Sequence, residues 1–81
     1  MNLSGSTTKD NYVINGGNNA PGGWDIPSNG PKDCNDKCVR NNQCVAWTLK
    51  KDTNLCWLKT VTNFIGGHNE WISGTKCDGK I

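Results

Sequence analysis

The chain has 81 residues, 33% of them hydrophobic, with ten glycines, five cysteines and a net charge of +2. That is length for one small domain, whose core needs disulfides, a metal or a partner to hold firmly. The basic residues are spread from Lys9 to Lys80 and supply no stripe for nucleic acid, and no apolar run approaches the roughly 20 residues that span a bilayer.

Residues 1–10 are polar, lack the apolar core of a signal peptide, and read as a flexible lead-in. The domain is expected over 11–77, with 78–81 as a tail. Tyr12, Val13 and Ile14 form a short strand candidate, ended by Gly16-Gly17-Asn18-Asn19. Trp24-Asp25-Ile26 reads as a short extended piece closed by Pro27. A helix is predicted from Pro31 to about Asn41, capped by Ser28, Asn29 or Gly30. Pro31 suits the first helical position, and Asp33 in the first turn and Arg40 near the last complement the helix dipole. Cys34 and Cys38 are four apart and share one helical face.

Gln43 to Leu49 alternates as a strand does, with Cys44, Ala46 and Thr48 on one side and Val45, Trp47 and Leu49 on the other. A polar connector, residues 50–54, leads to a second strand, Leu55 to Lys59, so the pair reads as a hairpin. Thr60 to Glu70 reads as a loop broken by Gly66-Gly67. Trp71 to Cys77 is a last strand candidate, weakened at Gly74.

The cysteine density favours an oxidising, extracellular setting, with the chain an excised piece of a larger protein. Cys34 and Cys38 on one helical face can both reach strands packed beneath it. Cys44 lies just past the helix-to-strand turn and Cys56 on the adjacent strand. The consistent pairing is Cys34 with Cys56 and Cys38 with Cys44, and it leaves Cys77 over. The rival zinc reading lacks the C-x2-C spacing of structural sites, and His68 has no cysteine near it in sequence.

At this point the residues carry a resemblance. Cys34 to Cys38, then Cys44-Val45-Ala46-Trp47, then Cys56-Trp57-Leu58-Lys59, then Ser73-Gly74-Thr75-Lys76 resemble the PAN/apple family pattern. That pattern has two helix cysteines four apart, a C-x-x-aromatic strand, a C-x-L-K strand and a closing S-G-x-K. Gly23 to Pro27 is similar to the glycine-aspartate segment before the family's helix. The resemblance implies an α+β fold in which a small twisted antiparallel sheet cradles one disulfide-stapled helix. By position it implies the same two bridges. Full apple domains add a bridge between the chain ends. No cysteine precedes Cys34 here, so Cys77 is expected to be free, masked or joined to another chain. A monomer is expected, with a dimer through Cys77 as the alternative.

The resemblance also implies a non-catalytic binding module for carbohydrate or extracellular protein, without cofactor or metal. The residues agree that catalysis has little to work with. There is one histidine, with no nucleophile motif around it, and the carboxylates sit in polar turns and helix ends. Four tryptophans stand out. Trp47 is expected in the core, and Trp57 on the sheet face away from Cys56 and Leu58. Trp24 and Trp71, beside glycine and polar residues, suit stacking on sugar or anchoring protein. His68, Asn69 and Glu70 precede Trp71 and can hydrogen-bond sugar hydroxyls. Lys50, Lys51 and Lys59 are candidates for a basic patch. Three readings follow: carbohydrate binding first, protein interaction or adhesion second, and sulfated-glycan binding through the three lysines third.

Overall fold

The computed structural model describes residues 8–14 and 19–76. Its elements are β1 (Thr8–Asp10), β2 (Val13–Ile14), β3 (Ile26–Pro27), α1 (Pro31–Val39), β4 (Ala46–Lys50), β5 (Leu55–Lys59), β6 (Phe64–Ile65) and β7 (Trp71–Thr75). Five strands form one antiparallel sheet in the order β1-β7-β4-β5-β3, and β2 and β6 form a separate two-stranded ribbon. The result is the α+β arrangement of one helix on an antiparallel sheet.

Nine residues make a helix too short to persist in water, so α1 depends on its attachments. Gly30 sits at the N-cap with φ 91°, a left-handed conformation that suits glycine, and has no side chain to cap with. Asp33 takes over that role. Its carboxylate accepts the Asn29 backbone N–H at 2.9 Å and the Lys37 ammonium at 2.8 Å. The reach back from the third helical position satisfies a donor that the chain before the helix would otherwise leave open. The Lys37 hydrogen bond, followed by that from Asn29, holds the Asp33 carboxyl below its ordinary value of 3.8.

The helix buries Cys34, Asn35 and Cys38. Both sulfurs are tied to what lies beneath. Cys34 is bonded to Cys56 on β5, with a Cα–Cα separation of 5.6 Å, and Cys38 to Cys44 just before β4, at 5.3 Å. Because side chains alternate along a strand, the register places Trp47, Leu49, Cys56 and Leu58 together on the helix side. They form the main core with Cys34, Cys38, Cys44 and Ala20, flanked by Ile26 and Ile72.

The opposite face carries Ala46, Thr48, Lys50, Leu55, Trp57, Lys59, Trp71 and Ser73. The β2–β6 ribbon covers its middle, which is why Ala46 to Leu49 are all buried although their side chains alternate. Ser73 Oγ donates to the Tyr12 carbonyl at 2.7 Å, so the 2.6 Å contact between Thr48 and Ser73 is Thr48 donating. This chain of two hydroxyls pins the ribbon to the sheet without leaving a buried polar atom open. Lys9 lies over the Tyr12 and Phe64 rings, 5.2 and 5.8 Å from their centroids.

Three parts differ from the sequence reading. Cys44 and Val45, read as strand residues facing with Ala46 and with Trp47, precede β4: the bond to Cys38 draws Cys44 into the core beside Trp47 and Leu49, and Val45 is exposed. Thr8–Asp10, assigned to a flexible lead-in over 1–10, form the edge strand β1 paired to Ile72–Gly74. A three-residue polar edge strand is held by backbone bonds and shows no hydrophobic period. Phe64–Ile65, read within a loop, form β6. Residues 1–7, 15–18 and 77–81, and with them Cys77 and the expected tail, lie outside the described residues.

Gly23 is a position of close approach. Its N–H donates to Ala20 and its carbonyl accepts from Leu58, and a Cβ there would stand 2.6 Å from Leu58 Cβ. Gly23→Ala is therefore expected to lower stability by about 1–3 kcal/mol in chemical denaturation, the usual range for overpacking. A depressed carboxylate pKa contributes stability above the unfolded value and loses it as pH falls through the folded one. Asp33→Asn should thus be less stable than wild type at neutral pH. Its loss of stability on acidification through 3.8 should also be smaller, measured by denaturation across pH.

Candidate functional site

Lys50, on the central strand β4, stands between Trp71 on β7 and Leu55 on β5; Thr48, one pleat away on the same face, stands between Ser73 and Trp57. Trp57 and Trp71 are therefore diagonal neighbours across β4. Their rings meet with centroids 5.2 Å apart at an interplanar angle of 52°. Both are half-buried, as are Lys50 and Leu55. The ribbon does not reach a full seal over this end of the face, and no enclosed pocket forms among the described residues. What remains is an open aromatic platform, with Lys50 on the strand between its two tryptophans.

The approach to Trp71 is held by Asn11, which has φ 66°. Asn11 donates its backbone N–H to the Trp71 carbonyl at 2.9 Å and accepts the His68 N–H at 3.0 Å. Trp71 N–H in turn donates to the His68 carbonyl at 3.0 Å. The Lys51 N–H donates to the Glu70 carbonyl at 2.7 Å, and the Lys51 ammonium reaches Asn11 Oδ1 at 3.1 Å and Asp10 at 2.5 Å. The hydrogen bond from Lys51 holds the Asp10 carboxyl below 3.8 against a small opposing effect of burial. One turn of backbone bonds thus fixes the Trp71 backbone and leaves the side chains of His68, Asn69 and Glu70 exposed beside it.

The structure brings together Trp71, Lys50 and the segment 68–70. It does not bring Trp24 to them. Trp24 is 66% exposed and precedes β3, with β5 and β4 between that strand and the β7 strand of Trp71. Nor do the three lysines make one patch. Lys51 is paired with Asp10. Lys59 pairs with Ala46 at the far end of the hairpin, roughly 13 Å along the strand from the Lys50 level. Its ammonium donates to Asn19 Oδ1 at 2.9 Å, and burial pushes its pKa down. Trp57, Asp10 and Asn11 are the participants the sequence reading did not single out. The alternation placed Trp57 on this face, but its meeting with Trp71 depends on β4 lying between β5 and β7.

A model of the PAN domain matches residues 15–59, more than half of the chain. The chain belongs to the PAN domain family. No curated protein and no solved structure matches it. PAN domains are generally non-catalytic modules that bind protein or carbohydrate, and those with disulfides are typical of extracellular proteins. In this PAN domain no group of His, Cys, Asp or Glu that could hold a metal ion forms among the described residues. No helix among the described residues is long and apolar enough to cross a membrane.

The left-handed turn at Asn11 generates a test of how the platform is positioned. A β-branched residue is strained at positive φ, whereas glycine is not. Asn11→Val should weaken the exciton signal of the Trp57–Trp71 pair in ultraviolet circular dichroism. Asn11→Gly should retain most of it.

Proposed function

We propose that this PAN domain is a carbohydrate-binding module of a secreted or surface protein. The contacting pair Trp57 and Trp71, on the sheet face opposite the helix, carries the reading. Two indole faces set in a rigid sheet offer flat apolar area at low entropic cost, and an indole N–H adds a donor. The open form of the surface suits an extended saccharide better than a ligand that must be enclosed. His68, Asn69 and Glu70 lie on the adjoining segment, where side chains able to exchange hydrogen bonds with hydroxyls are useful. The protein-docking reading draws on a different feature, the exposed Trp24. Among the described residues, Trp24, Val45 and Ile65 are the exposed large apolar ones, and they lie on three separate segments of the chain. That scatter supports a smooth protein interface less well than the tryptophan pair supports a sugar.

Titration with a polysaccharide and glycan panel, followed by tryptophan fluorescence, tests the proposal. Trp57→Ala and Trp71→Ala should each weaken binding about tenfold or more, with folding verified by circular dichroism. Trp24→Ala should leave it unchanged. A ligand lost on Trp24→Ala and kept on both platform variants would move the site to the other edge of the sheet.

A further inference from the structure

We propose that the saccharide recognised on the Trp57–Trp71 platform is an acidic one, carrying a carboxylate on or next to the ring stacked on Trp71, with Lys50 as its partner. This rests on the carbohydrate reading above and narrows it to a substrate class.

Of Lys50, Lys51 and Lys59, one is left without a side-chain partner. Lys51 is occupied by Asp10 and Asn11, Lys59 by Asn19, Lys37 by Asp33, and Lys76 by the Asn41 carbonyl. The Lys50 ammonium has no ion pair or side-chain hydrogen bond among the described residues. It is also the residue on β4 directly across from Trp71, and one pleat from the position across from Trp57. Cross-strand neighbours of this kind have Cβ atoms about 5 Å apart. A lysine stem of that reach lies along the apolar platform and keeps its ammonium at the rim.

A pyranose lying flat on an indole holds a ring carboxylate sideways, in the plane of the sugar. Lys50 is the residue directly across from Trp71 on the adjacent strand, within a side chain's reach of such a carboxylate. The contact is a charge-assisted hydrogen bond, stronger than one to a neutral hydroxyl. The same census speaks against densely sulfated chains. Such ligands draw on several cations at once, and among the described residues Lys51 and Lys59 are engaged while Lys9 lies over the Tyr12 and Phe64 rings. Asp52 and Glu70, both exposed, flank Lys50 and Trp71 in the chain and oppose a polyanion. The binding predicted is therefore selective for a single carboxylate and only mildly sensitive to salt.

Oligomers of galacturonate, glucuronate and mannuronate, each compared with its own methyl ester, provide the test. Wild-type protein should bind the acid form of at least one series about tenfold more tightly than its ester. Lys50→Met, which keeps the stem and removes the charge, should bring the acid down to the ester's affinity and leave the ester unchanged. Lys50→Arg should retain most of the preference. Equal binding of acid and ester by wild type would overturn the inference while leaving the platform reading intact. A preference that survives Lys50→Met would overturn the assignment of Lys50. No binding of any uronate, with a neutral glycan bound through Trp57 and Trp71, would overturn the acidic class alone. No saccharide bound at all would overturn both.

Discussion

The bond between Cys34 and Cys56 is the constraint on which this PAN domain depends. It joins the fourth residue of a nine-residue helix to the second residue of β5. The helix otherwise contributes few apolar groups to the core, since its remaining residues are mostly polar. Closing a loop with a sequence separation of 22 stabilises the fold by about 3 kcal/mol in the chain-entropy model, and the Cys38–Cys44 loop of separation 6 adds about 2 kcal/mol. Against a net stability of roughly 5–15 kcal/mol for an ordinary domain, those contributions are large.

Sulfur on one side of the sheet divides the labour of the two faces. Trp47, Leu49, Cys56 and Leu58 are consumed by packing under the helix. The other face is covered only in part, by a two-stranded ribbon held through Thr48, Ser73 and the Tyr12 carbonyl. What the ribbon leaves open is the Lys50 end, where two tryptophans find each other across the central strand. An open platform of this kind needs no cavity, which the limited core of so small a module could not support.

Much of this was legible in the residues themselves. The four-residue spacing of Cys34 and Cys38, Pro31 at the first helical position, and the alternation through Trp47 and Leu49 all describe local structure, and the helix, the β4–β5 hairpin and the core side of β4 follow from them. What the sequence did not reveal depends on contacts between distant segments. Thr8–Asp10 is a strand because β7 offers it an edge, not because its own residues favour one. The β2–β6 ribbon pairs two dipeptides some fifty residues apart, too short for any period to show. Strand order also decides which aromatic residues meet. Trp24 and Trp71 look alike in their glycine-rich and polar settings, yet Trp24 precedes β3 and Trp71 lies on β7, with β5 and β4 between those strands, while Trp57 becomes the partner of Trp71. The lysines show the same effect, since a hairpin puts Lys50 and Lys59 at opposite ends of adjacent strands.

One covalent link from helix to sheet maintains both the core and the platform on its reverse side. Equilibrium denaturation of the Cys34→Ala/Cys56→Ala double variant, with the Cys38–Cys44 bridge intact, tests it most directly. The double variant should lose at least about 3 kcal/mol relative to the wild-type chain. Its tryptophan-pair signal and backbone signal should disappear together. An unfolding midpoint equal to that of the wild type, with the aromatic signal preserved, would contradict this role of the link.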